Sequence, residues 1–347
     1  MMLNEALHID PKRIDREILS LVKHDPDIPS DSVIGKSIAE LVESGGKRLR
    51  PMMVIVGSRF GPRPSPRKTL QLAAIAEFIH AASLIHDDII DRSDTRRNRP
   101  ALHTKVGIQT AVHTANYMMA RVVELLSQYS KEHDRYVQDF SAITTTQLCI
   151  GEYQQLNHRF DFDVTEEVYL EKTGNKTAQL MATCLKVGAK SSDASDAVAD
   201  KLYQFGECLV MSFQIRDDLL DFTQPSEQLG KPAGSDLING QVTLPVLYAL
   251  DLPELGPKIR SLTFRSTGEE IAEIVEEIRS SRVLDKVEAL SDHYLDRAKT
   301  LIGDLHAYPA YRDLEHILHF LLTERTKGLF QEDPSLLHWR FSCIPLH

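Results

Sequence analysis

Apolar positions recur at three- and four-residue spacing along almost the whole chain, and strict alternation accumulates nowhere. The pattern therefore predicts helices rather than a sheet. Residues 12–45 alternate apolar and charged positions at helical spacing, break at Pro26 and Pro29, and close on Gly45-Gly46, which fits two helices and a turn. A short apolar run from Pro51 to Val56 leads to GPRPSPR at 61–67, whose three prolines predict a loop. From Leu70 to Asp91 the chain is nearly all apolar until its last six residues, too hydrophobic for a surface helix and suited to one buried inside a bundle. After the polar stretch RSDTRRNRPALH, helical patterns follow at 107–130, 134–156, 165–190, 196–222 and 243–250, with further amphipathic helices between 268 and 324. No repeat of 20–50 residues is present. The expectation is an all-α fold of ten or more helices in a single domain spanning 1–347, with a tail at 328–347 that carries no usable pattern.

Charge narrows the function. With 40 Lys+Arg against 50 Asp+Glu, the net charge of −10 disfavours a protein built to hold a nucleic-acid backbone, which needs a basic excess. The N-terminus has neither a basic start nor a continuous apolar run, and no segment approaches the roughly 18 uninterrupted apolar residues of a membrane span, so the chain reads as cytoplasmic. Cys149, Cys184, Cys208 and Cys343 lie far apart and form no CxxC or Cys/His cluster, which predicts reduced thiols rather than zinc or disulfides.

Two acidic clusters stand out. Asp87, Asp88 and Asp91 form D-D-x-x-D at the end of the apolar helix, and Asp217, Asp218 and Asp221 repeat the spacing after CLVMSF. With 27 Asp in 347 residues, chance placement gives about 0.16 such triplets, so two need a physical reason. On a helix, the first and third Asp of each triplet share a face about 6 Å apart and repel one another. Carboxylates so placed at the ends of apolar helices have raised pKa values or destabilise the fold unless a cation is present. Oxygen ligands of this kind suit Mg²⁺, which binds through one or two carboxylates and fills its octahedron with water and substrate phosphate. No D-x-D-x-D-G loop points to calcium. Cations stand where a diphosphate would need them: Lys47, Arg48 and Arg50 after the Gly-Gly turn, Arg96 and Arg97 after the first triplet, Lys176 after a helix, and Lys231 in GKPAGSD.

G-G-K-R-L-R-P at 45–51, H-D-D-I-I-D with R-R at 86–97, G-E-x-x-Q at 151–155, N-K-T-A at 175–178, and F-Q-I-R-D-D-L-L-D-F with G-K-P-A-G-S-D at 213–236 resemble the motif set of trans-isoprenyl diphosphate synthases, in order and spacing over about residues 40–250. The likeness is greatest to long-chain members, especially the catalytic component of two-component heptaprenyl diphosphate synthases, which the run D-L-I-N-G-Q-V-T-L-P-V-L-Y-A-L at 236–250 also resembles.

The resemblance implies an isoprenoid synthase-type helical bundle around a central cavity. Asp87, Asp88 and Asp91, with Asp217, Asp218 and Asp221, would hold two or three Mg²⁺ ions against the diphosphate of an allylic substrate, and Arg96, Lys176 and Lys231 would add positive charge to it. Lys47, Arg50, His80 and Arg97 would hold the homoallylic partner, isopentenyl diphosphate, while Gln214 and Thr177 would lie near the reacting carbons. Such a site ionises the allylic diphosphate in an apolar cavity that excludes water, and the released diphosphate is the acceptor for the proton lost after coupling.

Small residues at Ala82 and Ser83, one turn deeper than the first triplet, resemble the long-chain type, in which no aromatic floors the cavity. The implied product has six to ten isoprene units, with heptaprenyl diphosphate for quinone side chains as the best match. The resemblance further implies a homodimer or a heterodimer with a small regulatory subunit, and peripheral membrane contact for product release. Three departures from the family pattern are Asn98-Arg99 after the arginine pair, Ala115-Asn116 where Gly-Asp is usual, and Arg92 after the first triplet. Two other readings fit the scaffold. A terpene synthase would have no use for Lys47, Arg50, His80 and Arg97, and a non-catalytic subunit would have no use for two complete triplets.

Overall fold

In a computed structural model the periodic segments form helices. The structure describes residues 2–327 other than 24, 26–27, 30, 91–92, 97–98, 130–136, 138–139, 141–149, 151–152, 154–158 and 225–231. In chain order the first helices are α1 (Leu3–Ala6), α2 (Pro11–Lys23), α3 (Val33–Glu43), α4 (Leu49–Gly57) and α5 (Pro66–Ile90). A two-residue antiparallel ribbon, β1 (Thr95–Arg96) and β2 (Arg99–Pro100), precedes α6 (Leu102–Val106) and α7 (Ile108–Ser127). Then come α8 (Glu166–Thr173), α9 (Gln179–Ser191), α10 (Asp196–Thr223), α11 (Ser235–Ile238), α12 (Leu244–Ala249) and α13 (Gly256–Arg260). The last three are α14 (Gly268–Ser280), α15 (Val283–Asp304) and α16 (Tyr311–Lys327). The expected all-α architecture holds, and ribbon β1–β2 is the only named sheet among the described residues. Most of the helix anticipated at 134–156, and the tail at 328–347, lie outside the described residues.

The long buried helix α5 starts at Pro66 rather than Leu70. Proline suits the first helical turn because its missing N–H would have had no partner there and its φ is already helical. Because α5 is apolar nearly all round, it has no solvent face for most of its length: Leu72 to Ala76, Phe78, Ile79 and Ala82 are all fully enclosed. It is also the one described helix long and apolar enough to cross a membrane, and 72% of its most apolar stretch is buried inside the protein, as befits a core helix.

Around α5 pack α2, α4 and α7, and α4 in turn lies against α9, which lies against α10. The crossing of α4 and α9 is close because glycines face backbone there. A Cβ on Gly188 would meet the Val54 carbonyl oxygen at 2.1 Å, and one on Gly57 would meet that of Leu185 at 2.2 Å. Buried side chains divide into two groups. One joins the N-terminal helices, α7, α9, the first part of α10 and the last helices. The second joins Ile215, Leu219 and Phe222 at the C-terminal end of α10 to Leu237, α12 and α14. The two aspartate clusters therefore sit at the C-terminal ends of the two longest helices, α5 and α10, where the chain leaves the core.

Candidate active site

At the end of α10, burial and hydrogen bonding give each aspartate a different state. Asp217 and Asp218 are buried, and Asp218 accepts hydrogen bonds from the Tyr169 hydroxyl of α8 (2.5 Å) and from Gln214 Nε2 (3.2 Å). Burial, then the nearby charges of Asp236 and Asp217, push the Asp218 carboxyl up to about 8, against the downward pull of the hydrogen bonds from Tyr169 and Gln214. Tyr169 is itself enclosed, and burial followed by the charge of Asp218 holds its phenol well above the usual range. Neither Tyr169 nor Asp236 was singled out by the sequence reading. Tyr169 belongs to no motif, whereas Asp236, the last residue of GKPAGSD, was signalled by its place in one.

Asp221, the last residue of the second triplet, is bonded to the turn that follows α10. Its side chain is fully enclosed, Oδ1 accepts from Ser235 Oγ (2.9 Å), and Oδ2 accepts from the Asp236 backbone N–H (3.1 Å). Its backbone carbonyl accepts from Gly234 N–H (2.8 Å). Asp221 thus fastens the turn that opens α11, where Gly234 adopts a left-handed φ of +70°, and it sets the position of Asp236 beside Asp218.

At the end of α5, Asp87 and Asp88 are buried. Arg96, expected on the allylic diphosphate, donates from Nη2 to Asp88 Oδ1 and so neutralises part of the first cluster. Asp88, Arg96 and the buried His80 line one small cavity together with Arg48 and Glu77. Asp91, Arg97 and Lys231 lie outside the described residues, as does the side chain of Lys176. Thr177 is buried in a π-helical turn, Gly174–Ala178, between α8 and α9. Single π turns inside α-helices are rare and recur at functional sites.

The Gly-Gly turn before α4 is organised by Arg48. This residue takes a left-handed φ of 51° and is buried. Its guanidinium donates to Asp15 Oδ1 (2.7 Å), Glu77 Oε1 (3.0 Å), the Gly45 carbonyl (3.1 Å) and the Val42 carbonyl (2.7 Å). Burial disfavours the cation, but Glu77 and Asp15 outweigh it, so the pKa lies above the usual arginine value. Arg48 thereby ties the turn to α2 and α5 and fixes the backbone between Lys47 and Arg50. Lys47 Nζ lies 5.4 Å from the Phe320 ring centroid on α16, while Arg50 is buried on α4 near Cys184, whose thiol burial pushes up to about 12.

Ala82 is wholly enclosed, and Ser83 is half-buried with its hydroxyl on the His80 carbonyl (2.9 Å). Of the departures from the motif set, Ala115 is buried in α7 and Asn116 is exposed, while Arg92 and Asn98 lie outside the described residues. Cys184 and Cys208 are free, buried thiols.

Among the described residues no three acidic, histidine or cysteine side chains close around a metal position. The donor set still suits Mg²⁺, which takes one or two carboxylates per ion and keeps water or phosphate in its other positions. A carboxyl displaced to about 8 by burial and by neighbouring aspartates marks an excess of negative charge that a divalent cation relieves.

Comparison with known proteins agrees with this chemistry. The polyprenyl synthetase family model matches residues 31–278. Heptaprenyl diphosphate synthase component 2 of Geobacillus stearothermophilus is 39% identical over 272 residues, 78% of this chain and 84% of the relative. Solanesyl diphosphate synthase 2 of Arabidopsis thaliana chloroplasts is 34% identical over 327 residues, 88% of this chain and 72% of the relative. Among solved structures, heptaprenyl diphosphate synthase from Staphylococcus aureus superposes with a TM-score of 0.80 at 33% identity, covering 94% of this chain and 99% of that one. The chain belongs to the polyprenyl synthetase family and is a prenyltransferase of the trans-prenyl diphosphate synthase type, with long-chain enzymes among its relatives.

Proposed function

We propose that this chain is a long-chain trans-polyprenyl diphosphate synthase, which condenses isopentenyl diphosphate repeatedly onto an allylic diphosphate such as farnesyl diphosphate to give a C30–C50 product, with heptaprenyl diphosphate the best match. The observation that carries the reading is the pair of buried aspartates at the end of each long helix, Asp87 with Asp88 and Asp217 with Asp218. When bound, Mg²⁺ supplies charge neutralisation at the allylic leaving oxygen. Asp87, Asp88, Asp217 and Asp218 would hold it, with Asp91 completing the first triplet.

The remaining steps belong to the chain's own groups. Lys176 and Lys231 would hold the allylic diphosphate, and Arg96 would serve it while remaining paired with Asp88. Lys47, Arg50, His80 and Arg97 would hold isopentenyl diphosphate, with Arg48 keeping the Lys47–Arg50 backbone in place. Gln214 and Thr177 would flank the reacting carbons, and the apolar faces of α5 would exclude the water that otherwise captures the carbocation. Asp221 would complete the second triplet while its two oxygens fasten the Gly234–Asp236 turn. The small side chains at Ala82 and Ser83 support a long product.

A relative named as component 2 of a two-component enzyme supports a heteromeric partner for this chain as well. The test is incubation with farnesyl diphosphate, labelled isopentenyl diphosphate and Mg²⁺, alone and with candidate partner subunits, followed by sizing of the product. A product of six to ten units is expected. No incorporation under either condition refutes the reading, and a cyclic hydrocarbon replaces it with a terpene synthase.

A further inference from the structure

Where the chain leaves α10, its backbone carbonyls are bonded one by one. The Leu220 carbonyl accepts from the Gln224 N–H (3.1 Å), the last bond the helix makes to itself. Carbonyls beyond that point have no partner within a helix and need donors from elsewhere. Asp221 accepts from the Gly234 N–H (2.8 Å), Phe222 from Arg279 Nε (2.8 Å) and Gln224 from Arg279 Nη2 (3.3 Å). Arg279 stands in the last turn of α14 and belongs to none of the motifs above. Its Nη1 donates to Glu276 Oε2 (3.2 Å) one turn back on the same helix, which restrains the side chain. A cation at a helix C-terminus also meets the negative end of the helix dipole.

Val275 lies four residues before Arg279 and shares its face of α14. It packs on the turn that brings the chain back, because a Cβ on Gly234 would meet Val275 Cγ2 at 2.2 Å. Gly234 leads into Ser235 and Asp236, which donate to the two oxygens of Asp221. One face of α14 thus grips both the departure at Phe222–Gln224 and the return at Gly234–Asp236. Ile271, Ile274 and Ile278 of α14 are buried in the same core as Ile215, Leu219 and Phe222 of α10, so a shift of one helix is passed to the other. The start of α14 is closed by a capping box: Thr267 Oγ1 accepts from the Glu270 N–H (3.2 Å), and Glu270 Oε2 accepts from the Thr267 N–H (2.8 Å).

We propose that Arg279 is a positioning residue for the second aspartate cluster. It acts through the backbone: its fork fixes the last turn of α10, and with it the direction of Asp217 and Asp218 and the place of Asp236 beside them. The inference rests on the reading that these aspartates hold Mg²⁺ against the allylic diphosphate. The guanidinium suits the task because its rigid, planar donors reach two carbonyls and a carboxylate at once, which the single ammonium of lysine does not. Its influence falls on one half of the site. Lys47, Arg50 and His80, assigned to isopentenyl diphosphate, stand in the Gly-Gly turn, α4 and α5, whose apolar residues belong to the other buried group.

The test compares the full chain with Arg279→Met, which keeps the apolar stem and removes every donor, and with Arg279→Lys, which keeps the charge and loses the fork. In metal-free protein, amide hydrogen exchange over 232–238 should quicken about tenfold or more in Arg279→Met, while exchange in α4 stays as in the parent. In steady-state kinetics, the half-saturating Mg²⁺ concentration and the Michaelis constant for farnesyl diphosphate should rise about 10–100-fold, with that for isopentenyl diphosphate unchanged. Arg279→Lys should fall between the parent and Arg279→Met in both measurements. Parental exchange over 232–238 overturns the proposal. So does an equal rise in both Michaelis constants, or a lower thermal midpoint with no kinetic change, either of which makes Arg279 a residue of the fold alone. If Arg279→Met does not fold, Arg279→Lys decides by itself, and parental exchange and constants in that variant overturn the proposal. Exchange is read without metal or substrate, so a parent chain that makes no product faults the proposed function and not the role of Arg279 at the end of α10.

Discussion

The Tyr169 hydroxyl, held inside the protein by α8, donates to Oδ2 of Asp218 at 2.5 Å and so links a residue outside every sequence motif to the second aspartate cluster. A hydrogen bond to the charged form of a carboxyl favours that form, and here it works against burial and against the charges of Asp236 and Asp217. Tyr169 thus orients a carboxylate that is to meet a cation and draws it part of the way back toward its charged form.

Replacing Tyr169 with Phe removes that hydrogen bond while keeping the ring in its pocket. Partners of this kind around metal ligands are typically worth about 10–100-fold in metal affinity or activity. The Mg²⁺ concentration giving half-maximal incorporation should rise by a factor in that range, alongside a stability loss of about 1–3 kcal/mol from the broken buried hydrogen bond. An unchanged Mg²⁺ dependence would reduce Tyr169 to packing.

Asp221→Ala should damage the Gly234–Asp236 turn rather than the charge of the site. The substitution removes the enclosed carboxylate and leaves the Ser235 hydroxyl and the Asp236 N–H without their acceptor, and such bonds contribute about 1.5–3 kcal/mol each when charge is involved. Denaturant unfolding should show a loss of about 3 kcal/mol or more. Asp221→Asn keeps an acceptor and should recover part of both stability and activity, an outcome that a direct metal ligand would not give.

Ser83 and Ala82 separate product length from packing. Ser83 is half-buried, so Ser83→Phe should shorten the product at modest structural cost. Ala82 is wholly enclosed, so Ala82→Phe overpacks the bundle and should cost about 1–3 kcal/mol or more in stability. Chromatographic sizing of the products and thermal unfolding distinguish the two effects. If Ser83→Phe makes full-length product, growth does not pass this position.

Arg48 and Glu77 form a buried pair at 3.0 Å, with the guanidinium also bound to Asp15. Removing one partner leaves a buried charge uncompensated and should cost about 3–5 kcal/mol, as in Arg48→Met. The double variant Arg48→Met/Glu77→Gln should be less destabilised than the sum of the single changes, which a double-mutant cycle measures directly. The Michaelis constant for isopentenyl diphosphate should rise in the double variant if Arg48 fixes the backbone between Lys47 and Arg50.

By itself the sequence determined the helical class, the buried character of the helix ending at Asp87 and Asp88, and the two aspartate triplets. These depend on periodicity and on spacing within one element, and neighbours in sequence record both. Pro66 shows the limit of that reading: the same proline that punctuates a loop also opens a helix, and only its surroundings decide which. Tertiary structure alone decided that Asp221 turns to Ser235 and Asp236, that Arg96 turns to Asp88, that Arg48 is buried between α2 and α5, and that Tyr169 supports Asp218. Each is a bond between groups far apart in the chain or across a turn. Which acceptor a buried donor finds is settled by what the fold encloses beside it, because a polar group removed from water takes the partner that packing leaves within reach.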